Sequence, residues 1–282
     1  MDISSNKNLP KKKIFLIGGN ARLAKAILKY YGQYECIVLE REIYQNWGEV
    51  GSENVIITFF KNDISKNSII FITSGVLNSN AEKALIDKVN FMLPWNIIKS
   101  LEGLDVKIIT FGTILEKMRI TENAYVKSKI KLSDKISGLK SLLPRVTHFR
   151  LHTLYGYGNP SKFMFLGQIH DSIKNKTEFN MTSGYQIREY HHVDDVVKSV
   201  DFLIGKGVQG VSEITDGNGT RLRDFALSIY KSFQLEHLIN IGTINITQKE
   251  KLSNDYKKNP LLENINFRNP IDGVSNYLKA IL

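Results

Sequence analysis

The sequence has few of the features that mark secreted or membrane-spanning proteins. It contains a single cysteine in 282 residues, Cys36, which excludes an internal disulfide framework and fits a reducing compartment. No run approaches about 18 consecutive apolar residues, and residues 1–10 are polar, unlike the charged and then apolar segments of a signal peptide. We therefore expect a soluble, cytoplasmic protein that does not associate with membranes.

Long blocks of like charge are also scarce, although the formal net charge is +10. Lysine and arginine alternate with aspartate and glutamate along most segments, and the basic run that stands out is Lys11-Lys12-Lys13. We interpret the charge as a solvated basic surface and expect no nucleic-acid partner. A positive field also draws an anionic small molecule, such as a nucleotide, toward a cleft.

Apolar strand-like runs alternate with helical patterns, and 42% of the residues are hydrophobic. Several runs are apolar on both faces, which is typical of a parallel sheet covered by helices on both sides. We predict an α/β fold with a Rossmann-like doubly wound parallel sheet, either as one large domain or with a small additional lobe. The predicted strands are 13–17, 35–39, 54–59, 68–73, 106–113 and 210–215, and the predicted helices include 81–101, 125–139, 161–174, 193–204 and 221–233.

The first predicted strand ends in a glycine-rich turn, Gly18-Gly19-Asn20, before a helical pattern. Counted from Gly18, a Gly-x-x-Gly-x-x-Gly pattern has Ala21 and Ala24 in the places of its second and third glycines. Alanine takes little room, so the turn can still present N–H groups and a helix N-terminus to a pyrophosphate. An ordinary turn between a strand and a helix explains the same residues equally well.

Glu40 and Arg41 close the second strand, where the ribose of a bound dinucleotide would lie. A carboxylate accepts hydrogen bonds from a ribose diol, whereas Arg41 or Arg22 can pair with a 2′-phosphate. The carboxylate favours NAD and the arginines favour NADP, so both cofactors stay open. A surface ion pair between these residues is a third explanation. The full candidate set for cofactor binding is Gly18, Gly19, Asn20, Ala21, Arg22, Leu23, Glu40, Arg41, Thr73, Ser74, Gly75, Asn90 and Lys129.

Tyr125 and Lys129 begin the helix that follows Thr113, and their spacing of four places them on one helix face. An ammonium beside a phenol is expected to lower the pKa of the tyrosine from about 10 toward working pH, so that the tyrosine can pass a proton. The Thr113 hydroxyl supplies a second hydrogen bond to the same carbonyl or alcohol oxygen. With a hydride donor, these groups interconvert a ketone and an alcohol. An exposed helix face is the alternative explanation of the spacing.

Ligands of parallel sheets bind at the carboxyl ends of the strands. Gly18, Glu40, Ser74 and Thr113 all lie at the carboxyl ends of predicted strands. One cleft can therefore hold the glycine-rich turn and the Tyr125 helix together.

This ordered set of motifs resembles the extended short-chain dehydrogenase/reductases of the NAD-dependent epimerase/dehydratase type, which act on nucleotide sugars. Residues 149–156, Phe-Arg-Leu-His-Thr-Leu-Tyr-Gly, are similar to the family's Arg-Leu-x-Asn-x-Tyr-Gly strand. Residues 186–196, Gln-Ile-Arg-Glu-Tyr-His-His-Val-Asp-Asp-Val, are similar to its Arg-Asp-Phe-x-His-Val-x-Asp segment. The resemblance spans roughly residues 13 to 282. It implies a small C-terminal lobe that closes over the substrate.

On this basis we divide the chain into three parts. Residues 1–12 are expected to be a flexible N-terminus, and 13–158 an NAD(P)-binding Rossmann domain with later returns near 186–216. Residues 159–282 are expected to form mainly the substrate-binding lobe. The resemblance also implies a homodimer through helices that include 125–139.

The resemblance gives roles to individual residues. Thr113, Tyr125 and Lys129 match the catalytic trio, with Tyr125 as acid/base and Lys129 also bonded to the nicotinamide ribose. Arg188 matches a residue that holds the substrate diphosphate, and a structural ion pair is the alternative. Thr153 stands where many relatives have the substrate-contacting asparagine. The candidates for substrate binding are therefore Thr153 and Arg188.

We predict no metal site. His152, His191 and His192 are expected to pack or to form hydrogen bonds, because no set of carboxylates or cysteines with ligand spacing accompanies them.

The preferred hypothesis for the reaction is NAD(P)H-dependent reduction of a 4-keto sugar nucleotide in the biosynthesis of surface-polysaccharide sugars. Dehydratases of this family carry an acid and a base directly after the catalytic threonine, where this chain has Ile114-Leu115. Residues 112–125 and 179–188 resemble the corresponding stretches of CDP-paratose and CDP-abequose synthases, which reduce such ketones. An NAD-dependent nucleotide-sugar 4-epimerase stays open, as does a non-catalytic NADP-binding sensor or scaffold.

Overall fold

The computed structural model describes residues 12–78, 81–119, 122–140, 144–245 and 257–282. The predicted flexible N-terminus lies outside these residues except for Lys12. The described residues divide into two units, within the bounds Met1–Arg150 with Gly207–Ser212 and Leu151–Lys206 with Glu213–Leu282.

Strands and helices alternate through the first half of the chain. The strands are β1 (Lys13–Ile17), β2 (Glu35–Leu39), β3 (Ile69–Ile72), β4 (Lys107–Thr113), β5 (Arg145–Leu151), β6 (Thr153–Tyr155), β7 (Phe179–Met181), β8 (Ile187–Arg188), β9 (Tyr190–His192), β10 (Gly210–Glu213), β11 (Thr220–Arg221) and β12 (Ile239–Ile241). The helices are α1 (Arg22–Tyr30), α2 (Arg41–Tyr44), α3 (Glu53–Phe60), α4 (Lys83–Asp87), α5 (Leu93–Ser100), α6 (Ala124–Ser137), α7 (Phe165–Asn175), α8 (Val193–Gly205), α9 (Leu222–Ser232) and α10 (Pro270–Ile281). A π-helical turn, Lys88–Met92, joins α4 to α5, and short 3-10 helices span Ile114–Met118, Glu236–Leu238 and Pro260–Leu262.

A six-stranded sheet in the order β10-β5-β4-β3-β1-β2 organises the first unit. β1 pairs in parallel with β2 and with β3, and β3 pairs in parallel with β4. The chain moves to one side of β1 for β2 and to the other side for β3, so the strand order reverses between β1 and β3. Such a switch point opens a crevice at the carboxyl ends of the strands. The predicted α/β fold with a Rossmann-like parallel sheet is confirmed.

The central strands of this sheet are apolar because helices cover both of their faces. On one face, Phe15, Ile70 and Ile108 belong to a buried cluster that includes side chains of α3, α5 and α6. On the other face, Phe71 contacts Tyr31, which follows α1. Burying each of these large side chains contributes about 1.5–3 kcal/mol before the entropy cost of ordering the chain.

The predicted strand over residues 54–59 is wrong, because this segment lies inside α3. Its β-branched residues favour a strand by local propensity. Within the helix, however, Ile56 and Phe60 are both fully buried and lie four residues apart, while Val55 is 61% exposed. Packing of one helical stripe against the core overrides the local preference.

The second unit contains short strand pairs and a core of its own. β6 pairs in parallel with β9, β12 pairs in parallel with β7, and β11 pairs with β8 in antiparallel fashion. The rings of Tyr190 and Phe225 stack in the core, with centroids 4.0 Å apart. Helix α7 begins at Phe165 and not at residue 161, because a turn in which Met164 N donates to the Ser161 carbonyl precedes it.

Other predicted elements agree with the structure to within a few residues. The predicted helices 125–139, 193–204 and 221–233 correspond to α6, α8 and α9, and the strand 210–215 corresponds to β10. In the part of the chain that the structure describes, no helix combines the length and the apolar character needed to cross a bilayer.

Gly18→Ala is expected to destabilise the protein more than Gly103→Ala. Both glycines have a positive φ, +97° and +83°, so an alanine at either position costs about 1–2 kcal/mol in backbone strain. At Gly18 the added Cβ would also lie 2.4 Å from the backbone nitrogen of Ser74, whereas no described atom lies within 4 Å of that position at Gly103. Urea unfolding of both variants measures the difference. Equal losses of stability would contradict a close approach at Gly18.

Candidate active site

The turn after β1 is fixed to the end of β3. The Thr73 hydroxyl donates to the carbonyls of Ile17 and Gly18, at 3.1 and 3.0 Å. The backbone nitrogen of Ser74 also donates to the Ile17 carbonyl, at 3.0 Å. Gly18 fits against Ser74 because it has no side chain. The structure thus brings together the predicted cofactor residues of the two strands that flank the crevice.

Helix α1 begins directly after this turn. Ala21 occupies the N-cap position, and among the described residues no side chain caps the helix or places an acidic group in its first turn. Beside it, the Ser74 hydroxyl is buried and has no hydrogen-bond partner in the described part of the chain. An uncapped helix N-terminus beside an orphaned hydroxyl fits the pyrophosphate of a dinucleotide.

The remaining residues of the predicted cofactor set line the same end of the sheet or support it. Asn20 is exposed and Arg22 is half-buried, whereas Leu23 is buried in the core. Glu40 and Arg41 are both exposed at the carboxyl end of β2, where Glu40 is the N-cap residue of α2.

Asn90 is fully buried in the π-helical turn and bridges two parts of the site. Its Oδ1 accepts from the Val76 nitrogen at 2.8 Å, and its Nδ2 donates to the Val76 carbonyl and to Ser128 Oγ. Ser128 in turn donates to the Tyr125 carbonyl at 2.7 Å. Asn90 therefore connects the loop after β3, which includes Gly75, to the first turn of α6.

Lys129 is held against the end of β4. It is only 7% exposed, and its ammonium donates to the carbonyl of Phe111 at 2.8 Å. Phe111 is two residues before Thr113, which ends β4. One hydrogen bond thus brings the lysine of α6 to the strand that carries the predicted catalytic threonine.

Tyr125 lies one turn before Lys129 on the same helix face and is half-buried. The described residues offer its hydroxyl no hydrogen-bond partner. Asn123 starts α6 just before it, since its Oδ1 accepts from the Val126 nitrogen at 3.1 Å. The cap sets the point at which Tyr125 enters the helix.

The expectation that Lys129 lowers the pKa of Tyr125 is wrong for the protein alone. Burial raises the pKa of the Tyr125 phenol above its ordinary value, and the negative charge of Glu116 adds to this effect. Burial also lowers the pKa of Lys129 to about 8, against the opposing influence of Glu116. Tyr125 is therefore a protonated phenol at neutral pH, which is the form that donates a proton.

The structure adds two residues that the sequence analysis missed, Glu116 and His148. Both side chains are fully buried, and His148 Nε2 lies 3.2 Å from Glu116 Oε1. Glu116 also accepts from the backbone nitrogen of Thr113 at 2.7 Å, which completes a capping box at the 3-10 helix Ile114–Met118. The spacing Thr-x-x-Glu is the sequence signature of such a box and would have identified Glu116.

Thr153 and Arg188 belong to the second unit. Thr153 is half-buried in β6, and its backbone nitrogen donates to the Glu189 carbonyl at 3.2 Å. Arg188 is half-buried in β8, and its Nη1 donates to the Ile187 carbonyl at 2.9 Å. These two residues remain predictions for substrate binding.

Three histidines of the second unit, His152, His191 and His192, contact carboxylates and backbone. His191 Nε2 lies 2.9 Å and His152 Nε2 3.6 Å from the buried carboxylate of Glu189. His192 caps α8 by accepting from the backbone nitrogen of Asp194. Among the described residues, no group of three or more His, Cys, Asp or Glu side chains is arranged to hold a metal ion.

Comparison with known proteins identified a matching family and a set of similar solved structures. A model described as the NAD dependent epimerase/dehydratase family matches residues 14–215, more than two thirds of the chain. No curated protein matches.

The similar solved structures include two reductases and an epimerase. A dTDP-4-dehydrorhamnose reductase from Clostridium acetobutylicum superposes with a TM-score of 0.76 at 18% identity, over 95% of this chain and 99% of that chain. A dTDP-4-dehydrorhamnose reductase from Bacillus anthracis, in complex with NADP, superposes with a TM-score of 0.74 at 15% identity, over 96% of this chain and 99% of that chain. A UDP-N-acetylglucosamine 4-epimerase from Methanobrevibacter ruminantium, in complex with UDP-N-acetylmuramic acid, superposes with a TM-score of 0.74 at 12% identity. The superposition covers 96% of this chain and 97% of that chain. At these identities the similarity shows the fold alone.

Asn90→Ala is expected to loosen the loop after β3. The change leaves the part-buried Val76 N–H and carbonyl without their side-chain partner, which costs about 2 kcal/mol. Urea unfolding measures the stability, and hydrogen exchange of the Val76 amide reports the loop itself. Asn218→Ala is the control, because that exposed amide bonds only Asp216 among the described residues, and it should change stability by less than about 0.5 kcal/mol. Unaltered exchange at Val76 would contradict the role given to Asn90.

Proposed function

The chain belongs to the NAD dependent epimerase/dehydratase family, and on that basis we propose that it reduces a 4-keto sugar nucleotide with a nicotinamide dinucleotide. The observation that carries the proposal is the position of Lys129, whose buried ammonium bonds the Phe111 carbonyl beside Thr113, one helical turn from the Tyr125 phenol. A hydride acceptor placed there would meet a proton donor and a second hydroxyl.

The residues around the switch point fit a nicotinamide dinucleotide. The uncapped N-terminus of α1 and the orphaned Ser74 hydroxyl would hold its pyrophosphate. Lys129 would bond the nicotinamide ribose in addition to Phe111, since an ammonium has three donors. Structures with this fold have been determined with NADP and with NAD, which supports the same class of cofactor here.

The bound cofactor would supply a hydride to the carbonyl carbon of the sugar. Thr113 would donate a hydrogen bond from its hydroxyl to the carbonyl oxygen and so stabilise the negative charge that develops there. Tyr125, kept protonated by burial, would transfer its proton to that oxygen as the alcohol forms. The Lys129 ammonium would then stabilise the phenolate that the transfer leaves on Tyr125.

Reduction is favoured over dehydration by the residues that follow Thr113. Ile114 and Leu115 cannot act as acid and base, and the nearby carboxylate of Glu116 is buried and occupied by donors from Thr113, His148 and Arg150. Two of the similar structures named above are reductases of a 4-keto sugar nucleotide. We propose that Arg188 binds the diphosphate of the substrate and that Thr153 lies near its sugar.

A 4-epimerase is the second candidate, because it uses the same trio and because one similar structure carries that activity. The two reactions differ in what happens to the cofactor. A reductase consumes added NADPH or NADH, whereas an epimerase retains NAD and interconverts sugars without net consumption. A protein that binds NADP and turns over nothing would be a sensor or scaffold.

Tyr125→Phe is expected to reduce turnover at least about a hundredfold, because the proton donor is removed while the ring is kept. The measurement is the loss of absorbance of the reduced cofactor with a panel of 4-keto sugar nucleotides. Tyr34→Phe, at an exposed tyrosine after α1, serves as the control and should retain full activity. Cofactor consumption that survives Tyr125→Phe would remove the proposed role of this phenol.

Reduction is expected to slow as the pH rises past about 8. Burial lowers the pKa of Lys129 to about 8, so its ammonium is intact below that pH and is lost above it. Tyr125 stays protonated over the same range because burial raises its pKa. The profile of kcat/KM between about pH 6 and about pH 9.5 measures the effect. A rate that is constant to the alkaline end would contradict the role of the ammonium.

A further inference from the structure

Glu116 is a fully buried carboxylate that receives hydrogen bonds from three sides of the first unit. The backbone nitrogen of Thr113 donates to Oε1 at 2.7 Å, and Arg150 Nε donates to Oε2 at 3.0 Å. His148 Nε2 lies 3.2 and 3.3 Å from the two oxygens. A buried carboxylate needs such donors, because leaving its charge uncompensated would cost several kcal/mol.

The protonation states of this cluster follow from its surroundings. Burial acts to raise the pKa of Glu116, but the hydrogen bonds that it accepts from His148, Thr113 and Arg150 bring it below its ordinary value. Burial lowers the pKa of His148, so its ring is neutral near pH 7. The ring therefore donates its Nε2 proton to Glu116, while Nδ1 accepts from Thr110 Oγ1 at 2.7 Å.

Gly112 provides the space for this cluster. A Cβ at this position would lie 1.9 Å from Glu116 Oε1 and 2.3 Å from His148 Nε2. Gly112 directly precedes Thr113 in β4, so the carboxylate lies under the backbone that carries the proposed catalytic threonine. The strand has no side chain at the one point where the buried charge approaches it.

The charge of Glu116 also reaches α6. It is the group whose negative charge favours the ammonium of Lys129, in opposition to burial, and it disfavours ionisation of Tyr125. His148, which faces the same space, is in turn influenced by the positive charges of Lys129 and Arg150. One buried carboxylate is thus coupled to both titrating groups of the proposed site.

Building on the proposed reaction, we propose that Glu116 is a positioning residue: its carboxylate fixes the backbone at Thr113 and places a buried negative charge behind the end of β4, to which Lys129 is bonded. Glu116 has no part in binding substrate, because its oxygens are occupied by protein donors. It acts through Thr113, whose backbone nitrogen it binds, and through its charge on Lys129.

The other acidic side chains that lie on α6 or pair with its residues do not compete for this role. They form ion pairs at the surface, where water screens their effect on a buried group, and Lys135 of α6 lies over the Trp95 ring. These pairs are Lys131 with Asp87, Arg119 with Asp134, and Lys127 with Glu122.

The first experiment compares Glu116→Gln with Glu122→Gln. Both variants remove one negative charge, but Glu122 is 92% exposed in its side chain and pairs only with Lys127 among the described residues. Lysine labelled with ¹³C at Cε is titrated by NMR, and the Lys129 signal is identified by its absence in Lys129→Arg. In Glu116→Gln the midpoint of Lys129 should fall by about one pH unit, whereas Glu122→Gln should leave it unchanged. An unchanged midpoint in Glu116→Gln overturns the proposal.

The second experiment measures kinetics. Glu116→Gln should lower kcat about tenfold near pH 7.5, keep KM within about twofold, and move the alkaline limb of the pH profile to lower pH. Glu116→Asp keeps the charge but withdraws it from the Thr113 nitrogen, so kcat should fall while the alkaline limb stays in place. If Glu116→Gln does not fold, Glu116→Asp with the kcat of the parent protein overturns the positioning role.

The two experiments also separate this inference from the proposed reaction. The NMR titration needs no substrate and no turnover. Absence of turnover with every sugar nucleotide would refute the reductase proposal, and the Lys129 midpoint in Glu116→Gln would still decide whether Glu116 controls that ammonium.

Discussion

The hydrogen bond from the Lys129 ammonium to the Phe111 carbonyl is the interaction on which the rest of the site depends. It joins helix α6 to the end of strand β4, at a place where the Lys129 side chain is almost fully removed from water. Because a buried ammonium is unfavourable, the protein must compensate it, and the compensation comes from the carboxylate of Glu116 behind the strand. Thr113 is placed by the hydrogen bond from its backbone nitrogen to the same carboxylate, and Tyr125 by its position one turn before Lys129 on α6.

The sheet order explains why these groups and the glycine-rich turn share one end of the first unit. Parallel strands bring their carboxyl ends to one edge, and the reversal of order between β1 and β3 leaves a crevice there. The hydroxyl of Thr73 and the amide of Asn90 then hold the connecting loops in place. Hydrophobic burial builds the sheet, while a small number of buried polar contacts determine where its loops lie.

Much of the fold could be predicted from the sequence because apolar periodicity reports burial directly. The strand 13–17 and the helix 193–204 agree closely with β1 and α8. The strand predicted over residues 54–59 was wrong because β-branched side chains favour a strand locally, whereas tertiary packing selects a helix there. The protonation state of Tyr125 could not be predicted from its spacing to Lys129, since burial dominates its pKa and burial depends on the whole fold. Glu116 was missed because it supports the site from behind and does not line it.

The missing side chain at Gly112 has a consequence for how this site can evolve. Any larger residue there collides with Glu116 and with His148, so these positions can only change in a concerted manner. A lineage that loses both the carboxylate and the imidazole frees position 112 to drift, and one that keeps either of them retains glycine. Covariation among 112, 116 and 148 across homologues would therefore trace which branches inherited the buried charge, even where the rest of the sequence has diverged beyond recognition.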